Sequence, residues 1–508
     1  MKIIIRCTLL FAALLLSACG ARSNPADNSS VQSASLPLGH AGRWLTDTQG
    51  RVVVLHGLNM VYKRPPYAPD AVGFGDDDAA FLAAEGYNTV RLGVIYKAVE
   101  PQPGVYDDAY LDRIAGTVAT LARHGIVSLL DFHQDLYNER FYGEGFPDWA
   151  VQDDGLPVTP DLGFDPNYLT LLPLERAYDH FWNNDPGPLG IGLQDRYAAA
   201  WRHVAARFKD NAAVMGYDLF NEPFPGTLWE PCAVPLGCPI FDAQLTSFFK
   251  RVIASIRTVD THNLVWYDTH YFFNSGVDTL IGPVNDADAG LSFHDYCLTA
   301  QETGNALCDT LDDLVFSNAE KHVAATGDTL LLTEFGALDD AGNLGAMVDR
   351  ADRNMVGWQE WHYCPCDDPT TSAGPGSSTQ AIVIDPAKPP VGDNIKAAKL
   401  AVLSRPYPQV VAGTPKSYGF DAATGTFHLD YLTVRADGGG DFPAGSRSVI
   451  VLPARQYPAG YAVIVKGARI VSAVGARQLL LASCAGVAEI TVSVSRTGTS
   501  SEDCATRI

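Results

Sequence analysis

The chain has 508 residues, of which 47% are apolar, so it is long enough for one large domain and one smaller domain and is not intrinsically disordered. Acidic residues outnumber basic ones by 58 to 36, which gives a formal net charge of −22. A surface this negative repels phosphate backbones, so we do not expect nucleic acid as a partner.

The N-terminus has the pattern of an export signal. A short basic segment precedes an unbroken apolar run, Leu9 to Leu16, which is too short to span a bilayer. The run ends in Leu16-Ser17-Ala18-Cys19, which resembles a bacterial lipobox. We therefore predict a signal peptide over residues 1–18, a lipid on Cys19 and a flexible tether over residues 19–40. An ordinary signal peptide cut nearby is the alternative. In both cases we expect an exported protein, either a cell-envelope lipoprotein or a secreted one.

Short β-rich apolar runs alternate with helical stretches from about residue 50 to residue 362. The predicted strands are Arg51–Leu58, Asn88–Val94, Ile126–His133, Val214–Asn221, Leu264–Thr269, Leu291–Tyr296, Thr329–Phe335 and Met355–Trp361. The predicted helices include Asp76–Glu85, Asp107–His124, Gln194–Phe208 and Phe241–Val259. Strand–helix alternation indicates a parallel sheet, and eight such strands favour a closed (β/α)8 TIM barrel, which we place over residues 41–405.

The sequence changes character after a last predicted helix, Asn394–Leu403. Pro406 and Pro408 mark a boundary, and beyond it short alternating segments are separated by Gly, Pro and Asp. This pattern predicts a C-terminal antiparallel β-sandwich over residues 406–508.

Eight cysteines remain after Cys7 in the signal segment and Cys19 are set aside. They fall into neighbouring pairs: Cys232 with Cys238, Cys297 with Cys308, Cys364 with Cys366, and Cys484 with Cys504. An even number in an exported chain suggests disulfides that pin loops, although the connectivity stays open. A zinc site is the weaker interpretation, because no C-x2-C pair is repeated.

Polar and aromatic residues lie at or near the carboxyl ends of the predicted strands, where TIM barrels place their active sites. In chain order they are Arg91, His133, Asp135, Asn221, Glu222, His294, Tyr296, Glu334, Trp358 and Trp361. Each of these residues alone is weak evidence for an active site, because a Glu after a strand is usually solvated and a His at a strand end is usually structural. Together, in this order, they indicate an active site. No metal-ligand cluster or Gly-rich phosphate loop stands out, so we expect no metal and no cofactor.

Two of these residues, Glu222 and Glu334, end the fourth and seventh predicted strands and should face one another across the barrel mouth. Glycoside hydrolysis needs such a pair, because one carboxyl protonates the leaving oxygen while the other attacks the anomeric carbon. We predict that Glu222 is the acid/base and Glu334 the nucleophile. Arg91 and Tyr296 can hold Glu334 as a carboxylate, whereas Glu222 lacks such partners and can keep a raised pKa. Asn221 can bind the sugar 2-hydroxyl.

The combination of Arg91, His133, Asn221-Glu222, His294-x-Tyr296, Glu334 and Trp361 resembles glycoside hydrolase family 5 over about residues 45 to 405. Three stretches are similar to the endoglycoceramidases of that family. They are LHGLN (55–59) running into YKRPPY (62–67), DFHQD (131–135) running into ERF (139–141), and YDLFNEP (217–223). The resemblance implies a retaining mechanism, with Glu222 as acid/base and Glu334 as nucleophile. It also implies that Lys63 and Asp135 hold glucose hydroxyls and that Trp358 or Trp361 is the sugar platform.

The same resemblance implies a substrate class. Endoglycoceramidases hydrolyse the β-glucosidic bond between an oligosaccharide and ceramide, so the expected partner is a glycosphingolipid. Membrane contact would come through the anchor and the substrate, and we expect a monomer. The alternatives are another β-glycosidase of the family, such as a glucosylceramidase or a β-glucanase, and a non-catalytic carbohydrate-binding lipoprotein.

Three apolar stretches, residues 141–151, 168–174 and 271–273, are predicted to lie in loops on the active-site face. If they are exposed, they can receive acyl chains. If they pack on one another, they form the interior of the loops. The sequence leaves both interpretations open.

Overall fold

The structure is a computed structural model that describes residues 34–234, 237–297, 307–371, 374 and 376–504. The predicted signal peptide, Cys19 and most of the predicted tether lie outside these residues. Within the described ranges, no helix combines the length and apolarity needed to cross a bilayer.

The described residues form strands and helices that agree with the alternation in the sequence. The strands are Gly39–Ala41 (β1), Trp44–Thr46 (β2), Val52–Val53 (β3), His56–Met60 (β4), Thr89–Ile95 (β5), Val127–His133 (β6), Val214–Asp218 (β7), Leu264–Asp268 (β8), Ala289–Asp295 (β9), Thr329–Phe335 (β10), Trp358–Glu360 (β11), Tyr407–Val411 (β12), Thr414–Asp421 (β13), Thr426–Leu432 (β14), Arg447–Val451 (β15), Ala462–Lys466 (β16), Ala468–Ile470 (β17), Gln478–Ser483 (β18), Glu489–Ser495 (β19) and Ser501–Asp503 (β20). The α-helices are Asp76–Glu85 (α1), Tyr96–Val99 (α2), Asp108–Arg123 (α3), Phe164–Thr170 (α4), Leu172–Trp182 (α5), Leu193–Phe208 (α6), Trp229–Cys232 (α7), Pro239–Ile256 (α8), Cys308–Thr326 (α9), Ala341–Asn354 (α10) and Ala397–Leu403 (α11).

Strands β4 to β11 close into one parallel eight-stranded barrel, in which β11 pairs with β4. The predicted TIM barrel is therefore confirmed. Its strands are buried on both faces, because side chains fill the barrel interior and helices cover the outside. This burial explains the nearly continuous apolar runs in the sequence.

Helix α3 illustrates how the outer layer forms. Leu111, Ile114, Val118 and Leu121 recur at helical spacing and are fully buried against the barrel. The Asp107 side chain precedes the helix and accepts a hydrogen bond from the Tyr110 backbone N–H at 3.0 Å, which caps the first turn.

The first predicted strand, Arg51–Leu58, is in fact two strands. β3 pairs antiparallel with β12 of the C-terminal domain, whereas β4 pairs parallel with β5 of the barrel. Val52 and Val54 pack in the C-terminal core and Leu58 packs in the barrel core. The chain therefore passes from one domain to the other inside a single apolar run.

The C-terminal domain consists of two sheets that pack face to face, as predicted. One sheet has the order β1-β2-β3-β12-β15-β18-β17 and the other has the order β13-β14-β19-β16-β20. The pairs are antiparallel except that β20 runs parallel to β16. Strands β1 to β3 precede the barrel, so residues 39–53, most of which the predicted boundaries assign to the barrel, complete a sheet of the C-terminal domain.

The first described residues close the amino-terminal end of the barrel. Leu38 and Leu45 pack in one cluster with Val127 and Leu264, which begin β6 and β8, and Ala34 packs against the same cluster. Because these residues stand at the starts of the strands, the segment lies on the face opposite the carboxyl ends.

The described cysteines form four disulfides, each between sequence neighbours, in agreement with the local pairing expected. They are Cys232–Cys238, Cys297–Cys308, Cys364–Cys366 and Cys484–Cys504. Three of them lie in the segments between a barrel strand and the long helix or strand that comes next, and the fourth ties the end of β18 to the end of the last strand of the C-terminal domain.

Candidate active site

A pocket opens at the carboxyl ends of the barrel strands, where the sequence predicts an active site. Its lining comprises Lys63, Asp135, Phe164, Asp165, Glu222, Tyr271, Asn274, Tyr296, Glu334, Ala337, Trp361, Asp368, Thr370, Thr371 and Gln380. Of the predicted site residues, six line this pocket directly, and Arg91, His133, Asn221 and His294 lie beneath or beside them.

Glu222 and Glu334 face one another across the pocket. One carboxylate oxygen of each, together with a ring nitrogen of His294, lies within 4.8 Å of the others. Retaining glycosidases keep their two carboxyl groups about 5–5.5 Å apart, whereas inverting ones need about 6.5–9.5 Å to admit a water molecule. The short separation therefore suits direct attack on a sugar by one carboxylate.

Glu334 receives a hydrogen bond on each oxygen. The buried Arg91 donates to Oε1 from Nη1, and the Tyr296 hydroxyl donates to Oε2 at 2.9 Å. Arg91 is itself fixed by Asp218 at 2.8 Å and Asp131 at 3.0 Å. Charged and neutral donors aimed at both oxygens favour a carboxylate that is oriented and ready to act as a nucleophile.

Glu222 has a different environment. Its Oε1 lies 2.9 Å from His294 Nδ1, and its backbone N–H donates to Asp268 Oδ2 at 3.0 Å. The backbone of Glu222 is left-handed, with φ of 44°, a conformation that costs energy in a non-glycine residue. Asn221 and Gln134 stabilise this turn. Asn221 Nδ2 donates to the Gln134 backbone carbonyl at 3.0 Å, and Gln134 Nε2 donates to the Asn221 backbone carbonyl at 2.9 Å.

The electrostatic environments of these groups set their protonation. Burial, reinforced by the Asp135 carboxylate, raises the pKa of Glu222 to about 8. Burial also lowers the pKa of His294 to about 4, so its imidazole is neutral at pH 7. A protonated Glu222 can therefore donate to His294 Nδ1, or to a leaving oxygen when substrate is bound.

Lys63 and Asp135 form one wall of the pocket. The Lys63 ammonium donates to Asp135 Oδ2 and, at 2.6 Å, to Thr370 Oγ1, and it lies 3.2 Å from Asp368 Oδ2. Although burial opposes the charge, Asp135 and Asp368 raise the pKa of Lys63, so the lysine stays charged.

His133 supports this wall from below. Its Nδ1 bonds Asp131 at 2.7 Å, and its Nε2 lies 3.5 Å from Asp135. Although burial disfavours the charged form, the two aspartates raise the pKa of His133 to about 10. His133 is thus a charged structural partner of Asp135.

Of the two candidate tryptophans, only Trp361 lines the pocket. Its indole stacks on His133, with ring centroids 5.2 Å apart, and donates to Gln380 Oε1 at 3.1 Å. The expectation that Trp358 contacts substrate is not met by its position. Trp358 is fully buried and stacks on His56, which in turn stacks on Tyr407 of the C-terminal domain, so it is a core residue between the domains.

The three apolar stretches are mostly buried and not exposed. Residues 168–174 lie in helices α4 and α5, with Tyr168, Leu171 and Leu174 fully buried, although Leu172 is half exposed. Residues 271–273 form a buried 3-10 turn, and Phe141 and Phe146 of the first stretch are buried as well. Most of these side chains pack the loop layer above the barrel. The structure therefore indicates that these stretches form the interior of the loops for most of their length.

Several functional residues were not identified from the sequence. Asp131 and Asp218 are charged residues inside buried strands, a signal that could have led to them because a buried Arg91 needs acidic partners. Asp165, Asp368 and Thr370 lie in segments well past the ends of their strands, in stretches without a recognisable pattern.

Two sets of described residues bring imidazole and carboxyl groups close enough to share an ion: His133 with Asp135 and Glu144, and His294 with Glu222 and Glu334. A cationic side chain already stands beside each set, Lys63 at the first and Arg91 at the second. The protein's own cations therefore offset these negative charges, and the sets suit proton transfer and hydroxyl recognition better than metal binding.

Comparison with known proteins agrees with this geometry. Residues 47–367 match the family model described as cellulase (glycosyl hydrolase family 5), and residues 405–494 match the glycoside hydrolase family 5 C-terminal domain. Endoglycoceramidase I of Rhodococcus hoagii is 33% identical over 471 residues, which cover 90% of this chain and 88% of that protein.

Comparison with solved structures agrees with the comparison of sequences. Endo-glycoceramidase II from Rhodococcus sp., as a lactosyl-enzyme intermediate, superposes with a TM-score of 0.73 at 29% identity, over 90% of this chain and 100% of that one. Its complex with ganglioside GM3 superposes with the same TM-score and identity, over 90% and 99% of the two chains.

Proposed function

This chain belongs to glycoside hydrolase family 5, and from that premise we propose that it is a retaining endo-β-glycosidase that hydrolyses the bond between the oligosaccharide and the ceramide of glycosphingolipids. The observation that carries the proposal is the carboxyl pair. Glu222 and Glu334 lie within 4.8 Å in contrasting environments, one with a raised pKa and one held by two donors.

In the first step, a Glu334 oxygen attacks the anomeric carbon of the sugar next to ceramide. The bond to the ceramide oxygen breaks as Glu222 transfers its proton to that oxygen, so ceramide leaves as an alcohol. A glycosyl ester on Glu334 remains. Arg91 and Tyr296 orient the attacking carboxylate, which lowers the entropy cost of reaching the transition state.

In the second step, Glu222 is a carboxylate and acts as a base. It takes a proton from a water molecule whose oxygen attacks the anomeric carbon, and the bond to Glu334 breaks. Two inversions restore the β configuration in the released oligosaccharide. His294 lies beside both glutamates, with its Nδ1 2.9 Å from Glu222 Oε1 and 3.6 Å from Glu334 Oε2. Because its imidazole is neutral, it adds no positive charge that would stabilise the Glu222 carboxylate in the resting enzyme.

The relatives support the choice of substrate. Proteins named endoglycoceramidase match this chain along most of its length, and one solved relative holds ganglioside GM3. The Lys63–Asp135 wall supplies charged groups of the kind that recognise sugar hydroxyls.

Product analysis tests the proposal directly. Incubation with a mixed ganglioside and globoside preparation should release intact oligosaccharides and intact ceramide, detectable by mass spectrometry, with the β-anomer formed first by NMR. Release of glucose alone from glucosylceramide would instead identify a glucosylceramidase, and activity confined to β-glucans would contradict the substrate. Glu334→Gln serves as the inactive control.

We also propose that the protein is exported, that Cys19 carries a lipid and that the protein is a monomer. Export and lipidation are supported by the basic segment, the apolar run and the Leu-Ser-Ala-Cys sequence at residues 16–19. Detergent phase partitioning of the wild type and Cys19→Ala tests the anchor. Wild type should enter the detergent phase and the variant should not. Both proteins in the aqueous phase would contradict lipidation. Sedimentation of the detergent-solubilised protein tests the monomer.

A further inference from the structure

Asp295 is a buried carboxyl that the mechanism above does not use. It is the last residue of β9 and is only 1% exposed. Among the described residues, no donor gives a hydrogen bond to either of its oxygens. A carboxylate ion is costly to bury without donors, whereas a carboxylic acid needs only one acceptor for its proton. The surroundings therefore favour a neutral acid at this position.

The acceptor for that proton is Asp312, on helix α9. Arg350, on helix α10, donates from Nη1 to Asp312 Oδ2 at 3.0 Å, while no donor among the described side chains and backbone meets Asp312 Oδ1. Asp295 and Asp312 are hydrogen-bonded to each other. Two carboxyl groups can form such a bond only if one of them carries a proton.

The charges around this pair decide which member carries the proton. Burial raises the pKa of Asp312 to about 6, and Arg350 opposes that shift. Burial and the Asp312 carboxylate both raise the pKa of Asp295, whose only listed bond is to Asp312. Arg350 gives its Nε to Asp313 at 2.7 Å and its Nη2 to Asp309 at 3.2 Å, and it makes no hydrogen bond to Asp295. At neutral pH, Asp295 is therefore the acid and Asp312 the carboxylate.

This pair lies beside a residue of the active site. Tyr296 is flanked by two attachments to helix α9: Asp295 before it is bonded to Asp312, and Cys297 after it forms a disulfide with Cys308, the first residue of the helix. A residue whose two neighbours are both held has little freedom to reorient. The attachments therefore fix the direction of the Tyr296 side chain.

We infer that Asp295 is a positioning residue of the catalytic site, which as a neutral acid bonded to Asp312 anchors the end of β9 to α9 and so holds the Tyr296 hydroxyl on Glu334. This role rests on the proposed function. It adds to the catalytic pair a support that lies outside the pocket, and its effect on the reaction should pass through Tyr296.

Two substitutions separate an acid from a carboxylate at this position. Asp295→Asn keeps the shape of the acid and an N–H donor for Asp312, so kcat on an aryl β-lactoside should stay within about twofold of wild type. Asp295→Leu has no donor, and kcat should fall about tenfold with KM nearly unchanged, as expected when one hydrogen bond to a charged group is lost. Asp352→Leu, which removes a buried carboxyl that pairs with Arg405, is the matched control and should leave kcat unchanged.

A double-mutant cycle tests whether the effect passes through Tyr296. Tyr296→Phe removes the hydroxyl that donates to Glu334 and should itself lower kcat about tenfold or more. Adding Asp295→Leu to Tyr296→Phe should then cost less than about threefold, because the contact that Asp295 supports is already gone. An equal tenfold loss in both backgrounds would show that Asp295 acts independently of Tyr296, and the inference would be wrong.

Infrared spectroscopy tests the proton itself. The C=O stretch of a protonated carboxyl is well separated from that of a carboxylate, so the difference spectrum between wild type and Asp295→Asn at pH 7 should contain it. Its absence would overturn the inference. Thermal unfolding verifies folding, and should Asp295→Leu not fold, the infrared band and the activity of Asp295→Asn decide, a tenfold loss in that variant being contrary to the inference. A wild type inactive on every β-glycoside would defeat the proposed function, whereas the infrared band would still be expected.

Discussion

At the scale of single residues, Glu222 and Glu334 differ in their partners, so replacing each should have a different effect. Glu334→Ser removes the nucleophile, and hydrolysis should fall by several orders of magnitude for every leaving group. Glu222→Ala removes the proton donor, which poor leaving groups need and activated aryl groups do not. With an activated substrate, Glu222→Ala should therefore accumulate a glycosyl ester on Glu334.

Intact-mass spectrometry with peptide mapping detects this ester. Added azide should speed turnover of Glu222→Ala and give a β-glycosyl azide. An adduct on any other carboxylate, or a β-azide product from Glu334→Ala, would reverse the assignment. Glu489→Gln, on the surface of the C-terminal domain, is the matched control.

The raised pKa of Glu222 predicts the alkaline limb of the pH profile. The acid must be protonated in the first step, so kcat/KM should fall as the pH rises through about 8. In Glu222→Gln this group no longer titrates, and with an activated aryl substrate the alkaline limb should disappear. Initial rates between pH 5 and 10 measure this. A limb that persists unchanged in the variant would assign it to another group.

The sequence predicted much of the residue-scale site because strand ends in a TIM barrel meet at one mouth. Arg91 and Glu334 lie within barrel strands, and Tyr296 and Glu222 lie shortly after the ends of β9 and β7. Their order along the chain therefore predicts that they are close together. Asp368 and Thr370 lie in an irregular loop, whose path depends on contacts distant in sequence, such as Gln380 with Trp361. No local pattern encodes that path.

At the scale of elements, the cap of helix α3 makes a prediction about stability. Asp107→Ala leaves the Tyr110 N–H without its acceptor and should lower the free energy of unfolding by about 1 kcal/mol. Urea unfolding measures the loss, and kcat/KM should stay unchanged because the helix lies outside the barrel wall. Asp112→Ala, an exposed position in the same helix that pairs with Arg207, is the control and should change the unfolding free energy by under about 0.5 kcal/mol.

Element types were predictable where periodicity was strong, as in α3, α6 and the barrel strands. The division of Arg51–Leu58 into β3 and β4 was not, because the residues of both strands are buried and only the strands they pair with differ. Residues 168–174 resemble a loop because Pro173 interrupts them, yet Pro173 occupies the first turn of α5, where a proline needs no N–H donor.

At the scale of the whole molecule, the C-terminal domain should support the barrel without shaping its chemistry. Truncation after residue 405 removes β12, the partner of β3, and exposes Val52 and Val54, each worth about 1.5–3 kcal/mol when buried. It also removes Tyr407, whose hydroxyl donates to the Gly86 carbonyl at 2.8 Å and whose ring stacks on His56.

We therefore expect the truncated chain to be less soluble and to unfold at a lower temperature in calorimetry. Every pocket residue lies at or before Gln380, so any active fraction should keep the wild-type pH profile. A stable, soluble truncated chain with a shifted pH profile would contradict the prediction that the C-terminal domain contributes to stability and not to catalysis. A chain truncated after residue 504 provides the control.

The closure of the barrel by its first described residues has a practical consequence. Ala34 and Leu38 pack at the starts of the strands, on the side away from the pocket. Whatever is joined to the chain ahead of residue 34, whether a purification tag, a spacer or a solid support, therefore attaches on the side opposite the opening. Immobilisation through the N-terminus should leave that opening facing outward, toward lipid micelles or vesicles supplied from the medium.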